Sequence, residues 1–179
     1  GYDRYNKNAE RIFRLDQDGK FGGNSFDAAL TPPPAGPAMV KDFQQAEQYV
    51  RLQPRGALLV KKGDQQIKEE KVTFADSTLF DVFTLPMISG NPKTALTAPQ
   101  SLVITEKIAL KYFGSTDVTG RQLVTDNNDV YNITGVIENI PSQSHFHYDF
   151  YVAMSGLHES RVPNWFDQNY HTYILLKKG

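Results

Sequence analysis

Residues 101–123 read SLVITEKIALKYFGSTDVTGRQL, and the change of hydrophobic period inside that stretch decides the fold class. Ser101 to Ile104 is a short apolar, partly β-branched run with the composition of a strand, and the hydroxyl of Thr105 can accept an orphan N–H of a helix beginning at Glu106. From there Ile108, Ala109, Tyr112 and Phe113 fall on one helical face, with Glu106, Lys107 and Lys111 turned away. Gly114 stands just past the last periodic residue, where a helix favours a left-handed terminus, and Gly120 turns the chain into a strand near Arg121. The unit is strand, amphipathic helix, loop, strand.

Upstream of this unit, Arg11 to Leu15 alternates as a strand, and the loop after it ends in the proline-rich run from Pro32 to Pro37. Met39, Val40, Phe43, Ala46 and Val50 then recur at helical intervals, which predicts a helix from Pro37 to about Val50. Ala57 to Lys61 and Glu69 to Phe74 read as a hairpin turning near Gly63 and Asp64, joined by a polar arm. Asp76 is placed to cap a short helix carrying Leu79, Phe80 and Phe83, and Asn91 to cap a further turn or two ending near Leu96. Downstream, Asp126 to Asp129 is a turn before a strand from Val130 to Ile140, with Tyr131, Ile133 and Ile137 on one face and Pro141 as its stop. Phe146 to Met154 and Thr172 to Leu176 are the last strands. Strands and helices mix without strict alternation, which favours an α+β fold.

The chain has 179 residues, 40% of them apolar, enough to bury a sizeable core. A formal net charge of −1 supplies no field to attract polyanions, so nucleic acid is not an expected partner. The apolar runs at Ala57–Val60 and Tyr173–Leu176 are far shorter than a membrane-spanning helix requires, and no stretch reads as a signal peptide. The absence of cysteine removes disulfides, thiolate metal ligands and cysteine nucleophiles.

Reactive chemistry is thinly represented. His145, His147 and Asp149 alternate on a predicted strand and could offer two imidazoles and a carboxylate to a metal, although alternating polar residues more commonly mark a strand's solvated face. Gly114 to Arg121 fails as a phosphate-cradling loop, because it follows a helix instead of opening one and has arginine in place of lysine. Asp126, Asn128 and Asp129 lack the glycine and closing glutamate of a calcium loop, and Asp16 and Asp18 stand no better. No G-x-S-x-G elbow is present, and nothing places a nucleophile beside His158 and Glu159. Asn132-Ile133-Thr134 matches a glycosylation acceptor inside a predicted strand. Trp165 and Phe166 could anchor a partner, since aromatic residues are enriched at binding hot spots.

The run VITEKIALKYFG with the following TGRQL resembles the MacB-like periplasmic core domain of bacterial ABC transporter permeases of the FtsX-like kind. Tyr2-Asp3-Arg4 with Asn8 to Arg14 resembles the family's segment after the first membrane helix. Phe80-Asp81-Val82-Phe83, Gly90 and Ala95-Leu96 resemble a second block, and Gly135-Val136, Pro141 and His145-Phe146 a later one. These motifs occur in order over most of the chain.

The resemblance implies a two-lobed α+β domain outside the cytoplasm, with a ferredoxin-like βαβ (porter-like) lobe from residues 1–70 plus 166–179 and a mixed α/β lobe from 71–165 inserted in it. The chain stops at Lys177-Lys178-Gly179, where family members continue into a further helix and strand, so the first lobe is expected to be incomplete. The implied function is non-catalytic: the domain relays movement of membrane helices, driven by a cytoplasmic ATPase, to a periplasmic partner or cargo, within a dimeric membrane protein at the outer face of the inner membrane. No cofactor is implied. The alternatives are an exported small-ligand-binding or sensor module and a metal-dependent enzyme using the His145 strand.

Overall fold

Periodicity and pairing give the chain its elements in the computed structural model, which describes residues 9–15, 34–142, 144, 146–157 and 170–178. Among these the strands are β1 (Ile12–Arg14), β2 (Ala46–Pro54), β3 (Leu58–Lys62), β4 (Gln65–Glu69), β5 (Val72–Ala75), β6 (Met87–Gly90), β7 (Ser101–Thr105), β8 (Gln122–Val124), β9 (Val130–Ile137), β10 (Phe150–Ala153) and β11 (His171–Leu176). The helices are α1 (Ala35–Asp42), α2 (Leu79–Val82) and α3 (Glu106–Phe113). Nine strands form one mixed sheet in the order β1-β11-β2-β5-β10-β7-β9-β6, with β8 also paired to β9, while β3 and β4 form a separate hairpin. The β5–β10 and β7–β9 pairs are parallel. This is the α+β architecture expected: a large mixed sheet with few helices.

The 101–123 stretch folds as its period dictates. β7 is buried along its whole length and runs directly into α3, whose Ile108 and Ala109 face the core. Gly114 closes the helix at φ 69°, its N–H donating to the Leu110 carbonyl at 2.9 Å. Thr105 occupies the N-cap position, but its hydroxyl donates to Asp149 Oδ1 at 3.2 Å instead of capping the helix.

Elsewhere the pairing overrides the expected pattern. α1 stops at Asp42, and Ala46 and Val50 belong to β2, not to a helix reaching Val50. Residues four apart share a face in a helix and in a strand alike, so spacing alone does not separate the two, and the partner strand β11 decides it. The hairpin closes on Gln65–Glu69, the stretch read as a polar arm, and Val72–Ala75 pairs instead with β2 and β10 in the main sheet. The strand expected from Phe146 begins only at Phe150. Ile137 leaves the face of Ile133 because β9 carries a bulge: Leu102 pairs with Ile133 and Val103 with Gly135, so Thr134 is an extra residue that shifts the phase. After Asn91 the chain makes turns without a regular helix, the Asn91 carbonyl accepting the N–H groups of Thr94 and Ala95 at 3.1 and 3.0 Å.

The sheet is covered differently on its two sides. On the α2 side one apolar cluster runs from Ile12 and Leu175 through Val50, Leu52 and Tyr173 to Tyr151, Val103 and Ile137. Phe83 closes it, with ring centroids 5.1 Å from Phe146 and 5.3 Å from Tyr173 in edge-to-face contact. The opposite side carries two clusters. Ile108 and Ala109 of α3, with Val60 of the hairpin, cover Val72, Leu102, Ile104, Ile133 and Val152, while α1 covers Ala46 and Ile174 through Ala35. Between these two clusters lie Arg51, Gln53, Asp76 and Thr172, all buried.

Candidate functional site

That polar strip marks the seam where β2 meets β5. The registered pairs there are Leu52 with Ala75, Gln53 with Phe74 and Pro54 with Thr73. At Arg51 the ladder passes from main chain to side chain. The Asp76 N–H donates to the Arg51 carbonyl at 3.1 Å, but the Arg51 N–H donates to Asp76 Oδ2 at 2.8 Å. The same carboxylate takes the guanidinium as a fork, Nε to Oδ2 at 2.7 Å and Nη2 to Oδ1 at 2.8 Å. The expected capping role of Asp76 is thereby displaced: Thr78 holds the N-cap position of α2, and its hydroxyl donates to the Tyr49 carbonyl at 2.5 Å.

Aromatic rings frame the pair. The Arg51 Cζ lies 5.8 Å from the ring centroid of Tyr49 and 5.4 Å from that of Tyr170, within cation–π range. Burial opposes the guanidinium's charge, but the hydrogen bonds and negative charge of Asp76 outweigh it and hold Arg51 above its ordinary value. The Tyr49 phenol is pushed up by burial first and by the Asp76 charge second, with Arg51 partly offsetting them. A buried charge tolerates this position because its partner supplies both the opposite charge and matching hydrogen-bond geometry.

A second charged cluster fixes the hairpin. Glu69, paired across the hairpin with Leu58 and nearly enclosed, accepts from the Tyr112 hydroxyl at 2.5 Å and from Lys111 Nζ at 2.7 Å. Lys62 Nζ donates to the Lys111 carbonyl at 2.7 Å, satisfying a group the end of α3 leaves open. Lys61 Nζ reaches Asn128 Oδ1 at 2.6 Å, and Val60 bridges to Thr125, so β3 and β4 are tied to α3 and to the β8–β9 turn together. Burial, then the Glu69 carboxylate, push the Tyr112 phenol well above the usual tyrosine range. Both clusters connect pieces of the fold, and their charged atoms are engaged with one another.

Two of the three candidate metal ligands, His147 and Asp149, lie among the described residues; both precede β10 on irregular chain, and Asp149 accepts from the Thr105 hydroxyl and pairs with Lys107 Nζ at 3.3 Å. His145 lies outside the described residues, as do Trp165, Phe166, His158, Glu159, Asp16 and Asp18. Among the described residues no group of three or more histidine, cysteine or acidic side chains is placed to hold a metal ion. Asn132 and Thr134 sit on β9, where Asn132 Oδ1 accepts from Gln122 Nε2 at 3.0 Å and the Thr134 hydroxyl donates to the Ala95 carbonyl at 2.6 Å. Sequence reasoning missed Arg51 and Glu69 altogether. The one available signal is a charged residue inside an apolar alternation, as in YVRLQ at 49–53.

The class of protein is set by a broad mixed sheet whose buried charges join one part of the fold to another. Its family is explicit: the chain matches the MacB-like periplasmic core domain over residues 4–179 and belongs to that family. Three solved structures share the fold. A domain assigned to a permease of Porphyromonas gingivalis is 21% identical with a TM-score of 0.81, over 97% of this chain and 78% of that one. The periplasmic region of MacB from Actinobacillus actinomycetemcomitans is 12% identical with a TM-score of 0.63, over 93% of this chain and 73% of that one. The extracellular domain of the noncanonic ABC-type transporter YknZ from Gram-positive bacteria is 16% identical with a TM-score of 0.59, over 93% and 82%. No curated protein sequence matches the chain. The chain is thus a periplasmic core domain of an ABC transporter permease, and among its described residues no helix is long and apolar enough to cross a membrane.

Proposed function

We propose that this domain performs no catalysis and relays ATP-driven movement of membrane helices to a periplasmic partner or cargo. The observation that carries this reading is the placement of the first and last strands. β1 and β11 are antiparallel neighbours at one edge of the sheet, Ile12 opposite Leu175, and Arg11 Nη1 donates to the Leu176 carbonyl at 2.7 Å. Segments continuing from Ile12 and Leu176 leave the same end of the sheet side by side, as two helices of one membrane require. Movement of those helices acts directly on the β1–β11 pair. A close-packed interior passes displacement on instead of absorbing it.

The two-lobe division belongs to this proposal. The lobes, residues 1–70 with 166–179 and 71–165, meet along the β2–β5 seam in this reading. The β3–β4 hairpin acts with the second lobe, a reassignment supported by the packing of Val60 beneath α3. In the full-length protein the cytoplasmic ATPase, a periplasmic partner and a second permease copy complete the machine. The test places one spin label at exposed Ile88 on the far edge strand and another in the first membrane helix of the full-length transporter. The distance is expected to change between nucleotide-free and ATP-bound states. An unchanged distance refutes the relay.

A further inference from the structure

We infer that Arg51 and Asp76 form a tie across the β2–β5 seam that makes the two parts of the sheet open and tilt as one body, an inference that rests on the relay reading above. The argument starts from where the parts are joined. On the α2 side, apolar side chains cross the seam without interruption: Val50 and Leu52 of β2 belong to the same cluster as Ala75 of β5 and Tyr151 of β10. On the other side, the cluster under α1 ends at Ala46, Ile174 and the partly buried Tyr49, and the cluster under α3 begins at Val72 and Phe74. Arg51, Gln53, Thr172 and Asp76 stand between them.

Apolar packing is non-directional. It resists separation, yet it permits two packed bodies to roll on each other. The continuous cluster therefore acts as the inner side of a joint, and the polar strip lies on the side that opens when the joint flexes. A guanidinium–carboxylate fork is directional, because both groups are planar and meet through parallel hydrogen bonds. Here the guanidinium also lies within cation–π range of the Tyr49 and Tyr170 rings. It also stands where the main-chain ladder gives out, since the Arg51 N–H is accepted by the Asp76 carboxylate. One carboxylate closes both the side-chain fork and the last rung of the seam. Buried ion pairs add little net stability over apolar replacements of similar size, so the distinctive property of this one is the geometry it fixes.

The test is hydrogen exchange by mass spectrometry along a urea series on the 179-residue chain. It compares protection of β2 and β11 with that of β7 and β9. In the unmodified protein both pairs of strands lose protection at the same urea concentration, and separate loss there overturns the tie. Arg51→Met combined with Asp76→Asn removes the charges together and keeps an oxygen for the Arg51 main-chain N–H, so no charge is left stranded. In that variant the two regions are expected to separate, exchanging roughly ten-fold or more apart at intermediate urea. Coincident loss overturns the inference. Arg51→Lys keeps the charge and lacks the fork, and it too is expected to separate the regions. Behaviour identical to the unmodified protein shows that charge without the fork suffices, which also overturns the inference. The readout involves no transport. A domain that fails the spin-label test in the membrane refutes the relay and leaves an observed tie standing, whereas coincident exchange in the variants refutes the tie alone.

Discussion

The α2 side of the sheet carries a single apolar cluster from β1 to β9, whereas the opposite side carries two clusters parted by Arg51, Gln53, Asp76 and Thr172. The same strands build both sides. β2 gives Val50 and Leu52 to one face and Tyr49, Arg51 and Gln53 to the other, because side chains alternate along a strand. A polar insertion confined to alternate positions thus divides one face without touching the other. The difference shows how one set of strands can keep a continuous apolar face on one side while a polar line crosses the other where the β2–β5 main-chain ladder ends.

Three substitutions test that contrast. Phe83→Ala empties a nearly enclosed ring site on the continuous side, where it touches Phe146 and Tyr173, and is expected to cost about 3–5 kcal/mol. Because that cluster crosses the seam, hydrogen exchange should quicken in β2, β11, β7 and β9 together; a loss limited to one side breaks the description of this face as continuous. Gly36→Ala probes the α1 cluster alone. An added Cβ would lie 2.8 Å from Tyr49 Cδ2 and 2.9 Å from Thr172 Cγ2, so α1 must lift or those side chains must shift. The expected cost is about 1–3 kcal/mol, read as a lowered urea midpoint with exchange rising chiefly in α1, outside the strands that the Arg51–Asp76 pair ties together.

Tyr112→Phe probes the α3 cluster and is the mildest. Loss of the hydrogen bond to Glu69 is expected to cost about 1 kcal/mol, seen in the hairpin and α3. Its pH dependence sharpens the assignment. The folded protein holds the Tyr112 proton more firmly than an unfolded chain, whose phenol titrates near 10.0. The stabilisation is therefore complete below that pH and declines as pH rises above it. The urea midpoint of the unmodified protein should fall more steeply from about pH 9 to about pH 11.5 than that of the variant. Parallel slopes would remove Tyr112 from the account.

The parts legible in sequence are those whose structure is local. The 101–123 unit is written in its own period and its terminal glycine, and the Arg11–Leu15 alternation marks β1 in the same way. The family motifs are legible too, because they consist of short runs in order. The larger failures are decided by distant partners. Ala46 and Val50 satisfy helix and strand alike until β11 pairs with them. Gln65–Glu69 looks polar because one face of the hairpin meets water, while Glu69 is buried by Tyr112 and Lys111, more than forty residues away. Arg51 and Asp76 are separated by 25 positions, and no spacing rule links them. The bulge at Thr134 moves Ile137 to the opposite face, and the adjacent Gly135 is the one local sign of it inside the strand.

The neighbouring placement of β1 and β11 has a geometric consequence. Both lie at one margin of the sheet, with β6 at the far end of the path of eight strands. At the usual strand spacing of about 4.8 Å, seven steps put that far margin roughly 34 Å away. In the proposed relay the sheet would be a cantilever clamped at one end: a tilt of about 5° at the clamp would swing the free margin through about 3 Å. Small rotations of membrane helices would be geared up to displacements the size of an atomic contact, and any slack at the fourth strand would be subtracted from that stroke.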